Sequence, residues 1–345
     1  MERLGPVSFI EQPDRTALYN RSLIFLDEAK RRGIPIAAIT CFGRYLNEFC
    51  FAYRGRTYIY EGTPLNLWPA GVDLDDKARV KSRLFSAGIP VAPGRSFIRT
   101  RPAILYAQAL GFPVVVKPVA GSLSQHVTAP VSHLDELPAA IRLARAYQPR
   151  FILERYLAGY LYRATVVGRR QVFVCRKERP NVVGDGSSTI RELIGVKNRD
   201  PRRGLEGARN TTLHRLPEDD ALERELGRQN LILSSIPAAG RTMYLSDKRI
   251  LTRGCDIIAC TAEVHPANRE LFLQVAETLE ADLVGIDFIC RDITTSWRHQ
   301  VCAVIETNSL PYLDMHQFPS HGAPDRVTEI VWDIVLERLG VRGRR

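Results

Sequence analysis

Gly285-Ile286-Asp287-Phe288-Ile289 and, further along, Val304-Ile305-Glu306-Thr307-Asn308 are the two short runs whose reading decides the fold. Both read as buried strands set with acidic or amide side chains. Residues two apart on a strand share a face, so Glu306 and Asn308 point the same way, while Ile286 and Ile305 are expected to point into a core. If the strands are antiparallel neighbours, Asp287 reaches the face of Glu306. Two carboxylates and an amide oxygen on a rigid sheet are the hard donors that magnesium takes. Ions held there against nucleotide phosphates would neutralise charge during phosphoryl transfer. Asp287 alone reads more simply as a solvent-facing polar residue; the three together, embedded in apolar strands, favour the ligand reading.

Lys117 follows three valines in Pro113-Val114-Val115-Val116-Lys117-Pro118, an odd place for a long cation without an anion to meet. It shares a face with Val115 and would project from a sheet into a cleft. Lys81 lies on a helix expected over residues 75–87 and stopped by Gly88. Either lysine suits a nucleotide phosphate as a point charge; a lysine at a strand end also reads as a solvated edge residue. Between strand and helix, Gly121-Ser122-Leu123-Ser124-Gln125-His126 would cover phosphates through backbone N–H groups. No Walker A sequence is present, which disfavours a P-loop nucleotidase.

Working outward, residues 22–32 carry Leu23, Leu26 and Ala29 at helical spacing, and Gly33 stops them before a strand over residues 34–39. This unit suggests a small α/β lobe with a parallel component. Residues 90–190 read as a compact β-rich lobe, with a strand over 151–154 and a helix ending near Tyr147 behind a capping box of Ser132 and Asp135. A helix is expected over 267–281, with Leu271, Val275 and Leu279 as its apolar stripe. The last helix, over 324–339, turns Val327, Ile330, Val331 and Ile334 inward and is expected to end at Gly340.

Composition narrows the class. The 345 residues, 45% hydrophobic and 25% charged, fit a globular chain of two or three small lobes. The net charge of +10 is spread among acids nearly everywhere and comes with no zinc-finger, RNA-recognition or basic-zipper grammar, so no nucleic-acid partner is expected. A mildly positive field suits small anionic substrates equally well. No run reaches the ~18 apolar residues of a membrane helix, and the first residues lack signal-peptide grammar. A cytoplasmic chain with no membrane partner is expected. Seven cysteines with no CxxC pair read as reduced thiols. The oligomeric state is left open, a homo-oligomer included.

With these residues in place, the chain resembles the ATP-grasp ligases, and is most like the ATP-grasp portions of cyanophycin synthetase and bifunctional glutathione synthase. The matching pieces are Asp76-Lys77-Ala78-Arg79-Val80-Lys81, Ala87-Gly88-Ile89-Pro90-Val91-Ala92-Pro93, Phe112 to Pro118, and Leu153-Glu154-Arg155-Tyr156-Leu157-Ala158-Gly159. The most diagnostic are Val182-Val183-Gly184-Asp185-Gly186, Thr189-Ile190-Arg191-Glu192-Leu193-Ile194 and Asn198-Arg199-Asp200-Pro201-Arg202-Arg203-Gly204. Thr261, Val264-His265-Pro266, the two acidic strands and Met315-His316-Gln317-Phe318-Pro319 follow. The resemblance implies an α/β fold of α+β lobes that hold a nucleotide between them. It implies a pre-ATP-grasp lobe over residues 1–75 and an ATP-grasp domain over 76–345, with a clamping subdomain at about 90–190.

It further implies Lys81 and Lys117 on ATP phosphates, with Gly121 and Ser122 covering them. Glu154 and Leu157 would meet the adenine, Leu157 through its backbone. Asp287, Glu306 and Asn308 would hold two magnesium ions, with manganese as a substitute. The implied activity is ligation of a carboxylate to an amine through an acyl phosphate, acting on amino acids or short peptides, with Lys117 catalytic. Arg163, Arg202, Arg203 and His316 lie in matched segments and are candidate substrate residues, the arginines as bidentate carboxylate receivers or as internal ion pairs. Arg253 would stabilise a developing oxyanion. The chain departs from the relatives' pattern in its glycine-poor phosphate loop, at Leu161 where relatives hold ribose with an acid, and at Tyr312 and Asp314. Asp314 is expected to favour an amine-bearing substrate. The length leaves no room for the relatives' partner modules, so a free-standing ligase is expected; a nucleotide-binding scaffold without turnover is the alternative.

Overall fold

The structure, a computed structural model, describes residues 6–119 and 126–342. The candidate loop residues Gly121 and Ser122 lie outside the described residues. The chain divides into two compact units, Met1–Pro69 with Phe173–Thr261 and Tyr312–Arg345, and Ala70–Val172 with Ala262–Pro311.

The first unit opens with a four-stranded sheet of Val7–Ile10, Ile36–Cys41, Arg44–Tyr53 and Arg56–Glu61 in that order. Its ladders are all antiparallel, against the parallel component expected from sequence. Two two-residue hairpins are a physical reason. Phe42-Gly43 and Arg54-Gly55 both have positive φ at each residue, +48 and +75, then +50 and +73. That backbone matches the twist of paired antiparallel strands. The helices Asn20–Arg31 and Val327–Arg342 accompany this sheet. Trp332 is fully buried, edge-on to Phe51 at 4.9 Å, and its indole N–H donates to the Phe25 carbonyl at 3.0 Å. The last helix runs past Gly340, which sequence expected to end it. A helical glycine costs only about 1 kcal/mol against alanine, which packing on the sheet offsets.

In the second unit, Gly94–Phe97, Phe151–Arg155, Val114–Pro118 and Thr128–Val131 form a four-stranded antiparallel sheet. Alternation sorts their side chains. Val114, Val116, Phe151 and Leu153 enter a core with the helices Thr100–Leu110 and Leu137–Tyr147, while Lys117 and Glu154 belong to the other face. The expected box of Ser132 and Asp135 does not cap the second of these helices: its N-cap residue is Glu136, which makes no side-chain capping bond and instead accepts from the Ser132 backbone N–H at 2.7 Å. The unit's other sheet elements are Leu283–Cys290, with Tyr160–Val167 and Ala303–Asn308 paired antiparallel on its two sides. The helix Pro266–Thr278 packs on them, with Phe272 edge-on to Phe288.

Trp332→Ala is expected to destabilise the first unit by about 3–5 kcal/mol, because it opens an aromatic-sized cavity and removes a buried hydrogen bond. Urea unfolding followed by fluorescence of the remaining tryptophans tests this.

Candidate active site

The helix Lys77–Ser86 starts at an N-cap, Asp76, whose carboxylate accepts from the N–H groups of Ala78 and Arg79. Lys77, Val80, Lys81 and Leu84, spaced by three and four residues, present one face. That face lines a cavity with Val91, Lys117, Ile152, Glu154 and the run Val304 to Thr307, enclosing about 360 Å³ with the open solvent at its mouth. Lys77 was not singled out from the sequence, although its spacing of four from Lys81 was a legible signal.

Glu154 is the electrostatic centre of this cavity. It is buried, and its two oxygens take one lysine each, Lys81 at 2.8 Å and Lys117 at 2.5 Å. Lys117 also approaches the Ile305 carbonyl at 3.4 Å. Burial by itself would raise the Glu154 pKa, but Lys117 and then Lys81 outweigh it and hold the carboxyl below the ordinary 4.5. Gly94 stands opposite Glu154 in the ladder, and a Cβ there would come within 2.7 Å of the Glu154 Cα. The missing side chain is what lets Glu154 sit under both lysines.

The acidic strands are paired so that Asp287 stands directly opposite Glu306, and Gly285 opposite Asn308. A bulge follows Asp287, so Phe288 pairs with Val304 and Ile305 is left extra. Ile305 is therefore only half-buried and lines the cavity, whereas the sequence reading had it facing the core; Ile286 is fully buried. Each carboxylate meets a cation. Arg163, opposite Asp287 on its other side, donates from Nε to Oδ1 at 2.7 Å, and Lys77 lies 3.3 Å from Glu306. The amide nitrogen of Asn308 is buried without a hydrogen-bond partner. Turning that amide over exchanges nitrogen for oxygen. Among the described residues no three His, Cys, Asp or Glu side chains converge as a metal set; the candidate set is two carboxylates and one amide. Hard oxygens already facing cations fit a magnesium ion.

Arg163 thus meets a candidate metal ligand. Leu157 lies in the connection between Phe151–Arg155 and Tyr160–Val167. The remaining candidates belong to the first unit. Arg203 is buried and paired with Asp256, which also takes Lys197 at 2.5 Å and Asn181 at 3.1 Å. Burial would raise the Asp256 pKa; Lys197 and Arg203 instead lower it. The internal ion pair, one of the two readings open for Arg203, is the one its partners match. Arg202 pairs with Asp200 at 2.8 Å and donates to the Pro319 carbonyl. Arg253 pairs with Asp219 and lies 3.6 Å from Glu206. His316 is buried beside Phe173, their rings 6.0 Å apart. Asp314 is buried with one oxygen accepting from Thr212 at 2.6 Å and the other unmet; burial pushes its pKa up to about 6.

Glu154→Gln leaves two partly buried ammonium groups without their counter-ion and is expected to cost about 3 kcal/mol, the lower end for a broken buried pair. Because the carboxyl is depressed in the folded chain, its contribution is complete above pH 4.5 and fades as pH falls below it. Urea unfolding at pH 7 and at pH 3 checks both, with the gap between wild type and variant narrowing at the lower pH. Gly94→Ala is expected to weaken the same cluster by displacing the Glu154 backbone.

No family model matches the chain. Over 316 residues it is 31% identical to the cyanophycin synthetase of Trichormus variabilis, which takes in 90% of this chain and 34% of that protein. It is 30% identical over 202 residues to the glutathione biosynthesis bifunctional protein of Clostridium perfringens, 59% of this chain and 26% of that one. The chain therefore spans roughly a third or less of these relatives' length. Among solved structures, a bifunctional glutathione synthetase from Pasteurella multocida matches with a TM-score of 0.70 at 23% identity, over 94% of this chain and 44% of that chain. The chain is homologous to the ATP-grasp regions of cyanophycin synthetase and bifunctional glutathione synthetase, has the ATP-grasp fold, and belongs to the ATP-grasp ligase family.

Proposed function

We propose that this chain is an ADP-forming carboxylate–amine ligase that uses ATP with magnesium and joins amino acids or short peptides. The observation that carries the proposal is the company kept in one cavity: the ammonium groups of Lys81 and Lys117 beside Glu306, which faces Asp287 across a ladder. In such a reaction a substrate carboxylate takes the terminal phosphoryl group of ATP. The amine then attacks the carbonyl carbon, the new C–N bond replaces the C–O bond to phosphate, and the amine gives up a proton. A carboxylate is a poor electrophile until its oxygen becomes part of a leaving group, which is why the chemistry needs a phosphate-binding site.

The chain's own residues suit this work. Lys81 and Lys117 each keep ammonium capacity beyond the bonds turned to Glu154 and, for Lys117, the Ile305 carbonyl, and this would meet phosphate oxygens. Glu154 sets their spacing and offsets part of their charge. Asp287, Glu306 and Asn308 would hold magnesium, which when bound supplies charge neutralisation at phosphate oxygens. We propose Leu157 and the Glu154 backbone for the adenine, and keep Arg202 and His316 as candidates for substrate contacts. Seven free cysteines fit a reducing compartment such as the cytoplasm, and no helix among the described residues is long and apolar enough to cross a membrane.

The test is ADP release from ATP and magnesium with a panel of amino acids and dipeptides. Substrate-dependent ADP is expected, and Asp287→Asn should cut it by about 100-fold or more, at least the upper end of what loss of a supporting metal-site contact costs. Nucleotide binding with no turnover across the panel would leave the scaffold reading instead.

A further inference from the structure

We infer that Lys77 and Arg163 are internal counter-cations of the Asp287–Glu306 pair, and that Lys77 bars a divalent ion from the site until a nucleotide arrives with it. The inference rests on the ligase reading of the same cavity. Asp287 pairs with Arg163 on one side and Glu306 on the other, and Lys77 reaches Glu306 from the helix Lys77–Ser86. The charges therefore run plus, minus, minus, plus. Two carboxylates directly opposite each other on antiparallel strands lie close enough to repel strongly. The two cations cancel that repulsion without any metal.

The two cations are not held alike. Arg163 and Asp287 are nearly buried, with side-chain exposures of 6% and 10%, and their bond is a short charge-assisted one. Gly285 makes room for the arm: a Cβ there would lie 2.7 Å from Pro311 and 3.2 Å from the Arg163 guanidinium. Arg163 is fixed by construction. Lys77 sits on the first residue of its helix with its side chain 15% exposed, its ammonium is 3.3 Å from a carboxylate that is 31% exposed, against 10% for Asp287, and its side chain is long and unbranched. Lys77 is the exchangeable partner.

A divalent ion entering alone would displace the Lys77 ammonium from Glu306 and leave the row with two uncompensated positive charges. Polyphosphate changes the balance, because Lys77 already lines the cavity with Lys81 and Lys117 and its ammonium can transfer to a phosphate oxygen. Metal and nucleotide affinities are then coupled through Lys77, and the coupling must be reciprocal.

The probe is manganese, with the free ion followed by electron paramagnetic resonance on the whole chain, with and without a non-hydrolysable β,γ-imido ATP analogue whose own manganese binding, titrated without the chain, is subtracted. Wild type is expected to bind the ion weakly alone and about 100-fold more tightly with the analogue. Lys77→Met should tighten nucleotide-free binding about tenfold, as expected on removing one nearby positive charge, and shrink the gain from the analogue. Lys77→Arg, which keeps a cation at the same place, should behave as wild type and controls for folding of the helix. Equal manganese affinity with and without the analogue in wild type, or unchanged nucleotide-free affinity in Lys77→Met, overturns the inference and leaves the ligase reading standing. Absence of manganese binding under both conditions overturns the two together.

Discussion

Slipping one strand by a single residue would turn every side chain on it to the opposite face, and the site depends on the ladder between Leu283–Cys290 and Ala303–Asn308 being held against that slip. The central strand is locked on both sides. Val284, Ile286 and Phe288 are fully buried, and Tyr160–Val167 pairs along its whole length. The bulge after Asp287 takes up one extra residue just past the carboxylates, so Asp287 and Glu306 remain opposite while the rest of the strand re-registers. Bulges are frequent next to active sites because they re-aim side chains without unpicking the sheet.

Charge is arranged in both units around a buried carboxylate shared by two cations, with different consequences. Around Asp256, Arg203 and Lys197 satisfy the carboxylate together with Asn181, and the Arg203 side chain is only 2% exposed. Such a cluster ties the strands Asn181–Val183, Arg203–Gly204 and Asp256–Ala259 to the helix Ile190–Asn198. Around Glu154 the same stoichiometry is built from lysines, whose ammonium groups carry more donors than one carboxylate uses and border a cavity. A buried unpaired charge is costly, so both clusters need their counter-ions to exist at all. What separates scaffold from candidate binding site is whether the cations border open space.

Much of this architecture is written locally. The alternation around Lys117 and Glu154 follows from a period of two, and that same period sends Val114, Val116, Phe151 and Leu153 to the core. Helix starts such as Asp76 before Lys77 are set by side chains reaching the nearest backbone N–H groups. The hairpins at Phe42-Gly43 and Arg54-Gly55 were also within reach, since a residue before glycine between apolar runs is a turn signal; Phe42 concealed it, being an unusual residue at positive φ.

The sequence by itself determined the alternation along the strands it marked, as at Lys117 and Glu154, and helix starts such as Asp76, and it offered Asp287, Glu306 and Asn308 as a candidate donor set. It did so because strand and helix periods depend on neighbours within a few residues. The tertiary structure alone decided the partners of the charges: Lys81 and Lys117 on Glu154, Arg163 on Asp287, Lys77 on Glu306, and Arg203 on Asp256. Each of those pairs joins residues far apart along the chain. Attraction between charges depends on separation in space and on burial, and neither quantity exists until the strands have been brought together.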